Sequence, residues 1–149
     1  MQGTGKRRRL IAGDERGSSL IEFAVTLPVL MMLVLGIGRF GVAFNNYIAL
    51  TDAVRAGERQ LATNRGQVTN PCQSATNRVF SAAPTLTRTS LGVRVAINGS
   101  SYGTSCNNLA LSAGQDATVS GTYPCQLTIF GIDFAPRCTL SSSTTGRIE

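Results

Sequence analysis

Between Ser18 and Gly38 the chain carries one charged residue, Glu22, in an otherwise apolar run. As a helix rising 1.5 Å per residue, a run of that length covers about 30 Å, the thickness of a bilayer's hydrocarbon core. Pro28 lies inside it. Membrane helices tolerate proline better than soluble ones, so it predicts a kink rather than a break. Beyond this run the apolar positions narrow to one side. Ala43, Tyr47, Leu50, Val54, Gly57 and Leu61 recur at spacings of four and three, whereas Asp52, Arg55, Glu58 and Arg59 fall off that line. This is the seam of an amphipathic helix. One helix from about Ser18 to about Ala62 is expected, its first half in a membrane and its second half outside. Gly66 and the Asn70-Pro71 pair are expected to end it. A cleavable secretory signal would have a shorter apolar core and would stop at its end.

After Pro71 the period changes to two. Leu91, Val93, Val95 and Ile97 alternate with smaller or polar residues and end at Asn98-Gly99, a strand followed by a turn. Ala117 to Tyr123 and Cys125 to Phe130 alternate likewise, and Cys138 to Thr145 reads as a last strand. A short helix between Cys72 and Ala83 would turn Val79 and Phe80 inward. The expected fold is α+β: a long N-terminal helix and a small antiparallel sheet. Asn98-Gly-Ser100 also fits a glycosylation acceptor, but it is read here as a turn.

Charge then orients the chain. Net charge is +6, and Lys6-Arg7-Arg8-Arg9 just before the apolar run is its only basic cluster. Positive residues stay on the cytoplasmic side, so residues 1–17 are expected inside and the rest exported. The cluster is not a basic stripe on a folded face, so nucleic acid is not an expected partner. Arg39 can carry its charge to the outer interface on its long stem. Gly36, Gly38 and Gly41 are either a close-approach face for another helix or ordinary membrane-helix glycines.

The four cysteines, Cys72, Cys106, Cys125 and Cys138, all follow the apolar run. In an oxidising compartment they read as two disulfides. Sequence does not choose among three pairings. Cys72–Cys106 with Cys125–Cys138 is expected because each closes a local loop, the second contributing about 3 kcal/mol. There is no histidine and no C-x-x-C pair, which disfavours zinc, a redox thiol pair and His-assisted nucleophiles. Serines, Asp133 and Arg137 are present, but no motif arranges them for hydrolysis. No enzyme activity, cofactor or metal is expected.

Glu22 has two readings. Ser19-Leu-Ile-Glu22 matches a capping box at a helix start. Alternatively, an acid at the edge of a membrane helix is there for a partner. The stretch Arg16-Gly-Ser-Ser-Leu-Ile-Glu-Phe-Ala-Val-Thr-Leu-Pro28 resembles the start of TadE-like proteins, minor pseudopilins of the tight-adherence (Tad/Flp) type IV pilus system. Ala49-Leu-Thr-Asp-Ala-Val-Arg-Ala-Gly-Glu-Arg59 resembles that family's helix extension, and the ending Leu140 to Glu149 is similar to its closing strand.

The resemblance implies cleavage by a prepilin peptidase between Gly17 and Ser18, with Glu22 and Phe23 completing the processing site. It implies a cytoplasmic leader (1–17), a transmembrane helix (18–42), an exported helix extension (43–63) and an exported head (64–149). Glu22 would pair with the amine freed on Ser18 of a neighbour or of the same chain. Glu22, Tyr47, Leu50, Val54 and Leu61 would form the assembly interface, and the seam from Ala43 to Leu61 would pack partly on the head's own sheet and partly on other subunits. The implied partners are inner-membrane lipid, the peptidase, other minor pilins or pseudopilins and the Tad secretion machinery. The implied place is the inner membrane, single pass and pilus-associated, with the head periplasmic; the implied work is pilus assembly, adhesion and biofilm formation. The alternative is an uncleaved, membrane-anchored binding module. A whole extra domain separates this chain from the short, nearly all-helical major pilins.

Overall fold

The computed structural model of the chain describes residues 15–64, 68–107, 109–129 and 131–149. The basic leader 1–14, Gly66 and Phe130 lie outside the described residues, and so do the expectations placed on them. The chain divides into two compact units, residues 1–36 and 37–149.

Helix α1 runs from Glu15 to Thr63 and continues through Pro28. It begins before Ser18, so Ser19 and Glu22 lie inside it. The capping-box reading of that pair therefore does not apply, because a capping box serves N–H groups at a helix start.

In the second unit, α2 spans Pro71–Ala82, β1 Gly92–Ile97, β2 Ser100–Gly103, β3 Asp116–Pro124, β4 Thr128–Ile129, β5 Ile132–Asp133 and β6 Thr139–Arg147. Four strands form an antiparallel sheet in the order β2-β1-β3-β6, and β4 pairs with β5 in a separate hairpin. Asn70-Pro71 was expected to stop a helix and instead starts one. Asn70 is the N-cap of α2, accepting a hydrogen bond from the Gln73 N–H at 3.1 Å, and proline at the first helical position forfeits no helical bond.

Alternation in the sequence becomes two faces of the sheet. Val93, Val95 and Ile97 of β1 and Ala117, Val119 and Tyr123 of β3 are buried on the inner face. The outer face is polar; across it the Thr118 and Thr145 hydroxyls hydrogen-bond at 2.8 Å. Both helices cover the inner face. Leu50, Ala53, Val54 and Leu61 of α1 join Ala75 and Val79 of α2 and the strand residues in one core. Two glycines make this contact close. A Cβ on Gly57 would overlap the Val79 side chain and lie 3.2 Å from Ala75 O, and one on Gly121 would lie 2.8 Å from both Leu50 Cδ1 and Val54 Cγ2. Each buried Leu or Val contributes about 1.5–3 kcal/mol.

Asn98 (φ 49°) and Gly99 (φ 78°) form the two-residue turn from β1 into β2. Positive φ at both central residues matches the twist of flanking strands, hence the Asn-Gly pair. The strand expected over 125–130 shrinks to β4. Gln126 takes a left-handed φ of 50°, which interrupts the extended backbone directly after Cys125.

Candidate membrane anchor and assembly face

The first unit offers one feature, the outer surface of α1. Its stretch Ser19–Thr63 contains a window of mean hydropathy 2.4, and none of that window is buried by the rest of the chain. Leu20, Ile21, Phe23, Val25, Val29, Leu30, Met31 and Met32 are all exposed. These positions are nearly consecutive, so they surround the helix instead of lining one side. A helix apolar all round belongs inside a large core or a bilayer, and among the described residues none of this window is buried. Its length and composition suffice to cross a membrane.

Gly17 and Ser18 lie in the first turns of α1, and Glu22 with Phe23 follows about one turn later. Glu22 is exposed, and among the described residues it makes no ion pair. The Thr26 hydroxyl donates to the backbone carbonyl of Glu22 at 3.0 Å. Among the described residues, nothing beyond the local helix backbone lies within 4 Å of where a Cβ on Gly36, Gly38 or Gly41 would stand.

The expected assembly seam divides. Tyr47 stays exposed, as do Phe44 and Ile48 beside it. Leu50, Val54 and Leu61 have no exposure and pack inside the chain's own head. A side chain with no accessible surface cannot dock a second chain without opening the core, so these three are intramolecular contacts. The expected packing on the head's own sheet is found for these three, and the periodicity could not say where along the seam it would stop. Ala53, equally buried, was missed because alanine gives a weak hydropathy signal.

Two disulfides tie the head. Cys72 pairs with Cys106 and Cys125 with Cys138, each with Cα atoms 5.4 Å apart. The first joins the start of α2 to the loop after β2. Asn70 reinforces that joint. Besides capping α2, its Oδ1 accepts the Cys106 N–H at 3.0 Å, and its amide donates to Ser105 Oγ at 2.8 Å and Asn107 Oδ1 at 2.7 Å. Sequence reading missed this hub, because its partners are more than thirty residues away. Among the described residues no three of Cys, Asp and Glu cluster as metal ligands.

A single apolar helix joined to a small disulfide-tied α+β head fits a membrane-anchored protein. Residues 17–59 match the family model described as TadE-like protein. The matched segment opens at Gly17, contains Glu22 and ends at Arg59, which is consistent with a Tad pilus-related protein. No curated protein and no solved structure matches the chain.

Proposed function

We propose that this chain is a minor pseudopilin of a tight-adherence pilus, held in the inner membrane by α1 with its head in the periplasm. A prepilin peptidase removes the leader after Gly17. The new amine on Ser18 and the carboxylate of Glu22 then set register between helices when subunits join. The observation that carries this reading is the TadE-like match over 17–59, which brings glycine, acid and all-round apolar helix into one segment. Opposite charges close together in a poorly polarisable layer attract strongly, although desolvation cancels part of the gain. Docking then uses the exposed residues of α1, Glu22, Phe23 and Tyr47 among them, while the head keeps Leu50, Val54 and Leu61 for itself. Adhesion and biofilm formation follow as consequences of the assembled pilus, and the chain itself catalyses nothing.

Co-purification tests this. Wild-type chain solubilised from membranes should carry the peptidase and other minor subunits with it. Glu22→Ala should retain a folded head and lose the other subunits. Normal assembly of the Glu22→Ala chain would remove the register role.

A further inference from the structure

Three contacts fix how the strands lie along α1 in the second unit. Gly121 of β3 faces Leu50 and Val54, and Gly146 of β6 faces Glu58. Gly146 pairs with Ala117, four residues before Gly121 on β3. The cleft at the end of the helix agrees: Ala62 and Thr63 line it with Gly114, Arg147 and Ile148. From Asp116 to Pro124, therefore, β3 runs back along α1 toward the helix's N-terminal side.

Cys125 follows directly. It lies about 13 Å beyond Gly121 at about 3.3 Å per strand residue. The same distance along a helix is about nine residues at 1.5 Å each. Since the same contacts match four strand residues to about six helix residues, the Cys125–Cys138 bridge falls between about Ala43 and Asn46. Ala43 is buried although it stands outside the main core, as expected if this end of the head covers it. From this level toward its N-terminal side, α1 again shows apolar side chains to the outside, at Phe44, Val42, Phe40 and Ile37. The loop closed by the bridge thus leaves the sheet at the end nearest the exposed apolar residues Phe40, Val42 and Phe44.

That loop carries its own unburied apolar groups. The Phe134 N–H donates to Leu127 O at 3.1 Å and β4 pairs with β5, which forms a hairpin. At its end Ile132 is 63 % and Phe134 62 % exposed. Asp133 turns its carboxylate to the Ala135 N–H at 3.0 Å, while Arg137 is exposed near the bridge. Two large apolar side chains beside a cation, at the end of a head tethered by an apolar helix, match the layered chemistry of a bilayer surface.

We propose that the disulfide-closed loop 125–138 is a second membrane contact, inserting Ile132 and Phe134 into the interface of the bilayer that receives α1 and setting Arg137 among the headgroup phosphates. This rests on the reading of α1 as a membrane span. The contact would fix the head's tilt on the membrane while the chain awaits assembly.

The chain has no tryptophan, so single indoles report position cleanly. Phe134→Trp, Ile132→Trp, Phe40→Trp and Tyr102→Trp are each placed in the full chain. Each is reconstituted in phosphatidylethanolamine–phosphatidylglycerol vesicles, with and without acyl-brominated phosphatidylcholine. Bromine should quench Phe40→Trp strongly, Phe134→Trp and Ile132→Trp clearly, and Tyr102→Trp, on the distant β2, not at all. The hairpin indoles should also emit to the blue of Tyr102→Trp. Quenching of Phe40→Trp with neither hairpin indole quenched overturns the proposal and leaves the anchor intact. A hairpin blue shift that ignores bromine and grows with protein density assigns the loop to a second copy and also overturns it. An unquenched Phe40→Trp removes the anchor reading itself, and the proposal falls with it.

Discussion

Gly121 of β3 and Leu50 of α1 meet so closely that a Cβ at residue 121 would stand 2.8 Å from Leu50 Cδ1. The missing side chain on the strand is what lets the helix lie down on the sheet. Gly121→Val should push α1 away and cost about 1–3 kcal/mol, the usual penalty of overpacking a filled core. Thermal unfolding of the full chain in detergent measures it. An unchanged midpoint would mean that helix and head are not docked in this way.

The divided seam makes a sharper comparison. Leu50→Ala removes a side chain with no exposure and should destabilise the head by about 2–5 kcal/mol. Tyr47→Ala, one turn away on the exposed side, should stay within about 0.5 kcal/mol. Co-purification with other subunits should respond in the opposite order, Tyr47→Ala weakening it while the head remains folded. Equal unfolding midpoints for the two variants would contradict the packing described for α1.

The disulfides should differ in strength. Their partners are 34 and 13 residues apart in sequence. In the chain-entropy account the Cys72–Cys106 bridge contributes about 3.8 kcal/mol and Cys125–Cys138 about 3 kcal/mol. The double variant Cys72→Ala/Cys106→Ala should therefore unfold earlier than Cys125→Ala/Cys138→Ala. Loss of the second bridge should loosen the 125–138 loop and leave the sheet formed, which hydrogen exchange resolves segment by segment. Peptide mapping without reduction that finds Cys72 joined to Cys125 or Cys138 would reject the connectivity.

Asn70 holds α2 and the 105–107 loop together: its Oδ1 accepts the Gln73 and Cys106 N–H groups, and its two amide hydrogens reach Ser105 and Asn107. Asn70→Ala should cost about 1–2 kcal/mol, the range for a lost N-cap, with the added bonds pushing toward its upper end. Faster amide exchange at Gln73 and Cys106 together would show that the residue acts as one joint. Faster exchange at Gln73 alone would reduce it to an ordinary cap.

Much of this fold is legible in the residues because burial has a period. Leu91, Val93, Val95 and Ile97 announce β1, and the spacing of Leu50, Val54 and Leu61 announces the inner face of α1. Three features were not legible, each for a physical reason. Ser100–Gly103 has no apolar alternation, and β2 exists because the Asn98–Gly99 turn folds it back onto β1. The alternation from Cys125 to Phe130 looked like a strand, but the left-handed backbone at Gln126 breaks it. Asn70-Pro71 stops one helix and starts another with equal chemical sense, so only the following turns distinguish the two. The long apolar helix was legible, since an all-round apolar run needs no tertiary information. The split of the seam, with Leu50, Val54 and Leu61 on the head's own sheet and Tyr47 outside, was not, because periodicity identifies a face and not where its cover ends.

A pseudopilin needs an α1 that first anchors the chain and is later freed of its leader to serve in assembly. Intact-mass measurement of the chain from cells that make the prepilin peptidase tests this most directly. A mature protein beginning at Ser18, carrying both disulfides, is the expected mass. A protein that retains residues 1–17 in those cells would contradict the pseudopilin reading and leave a permanently tethered head.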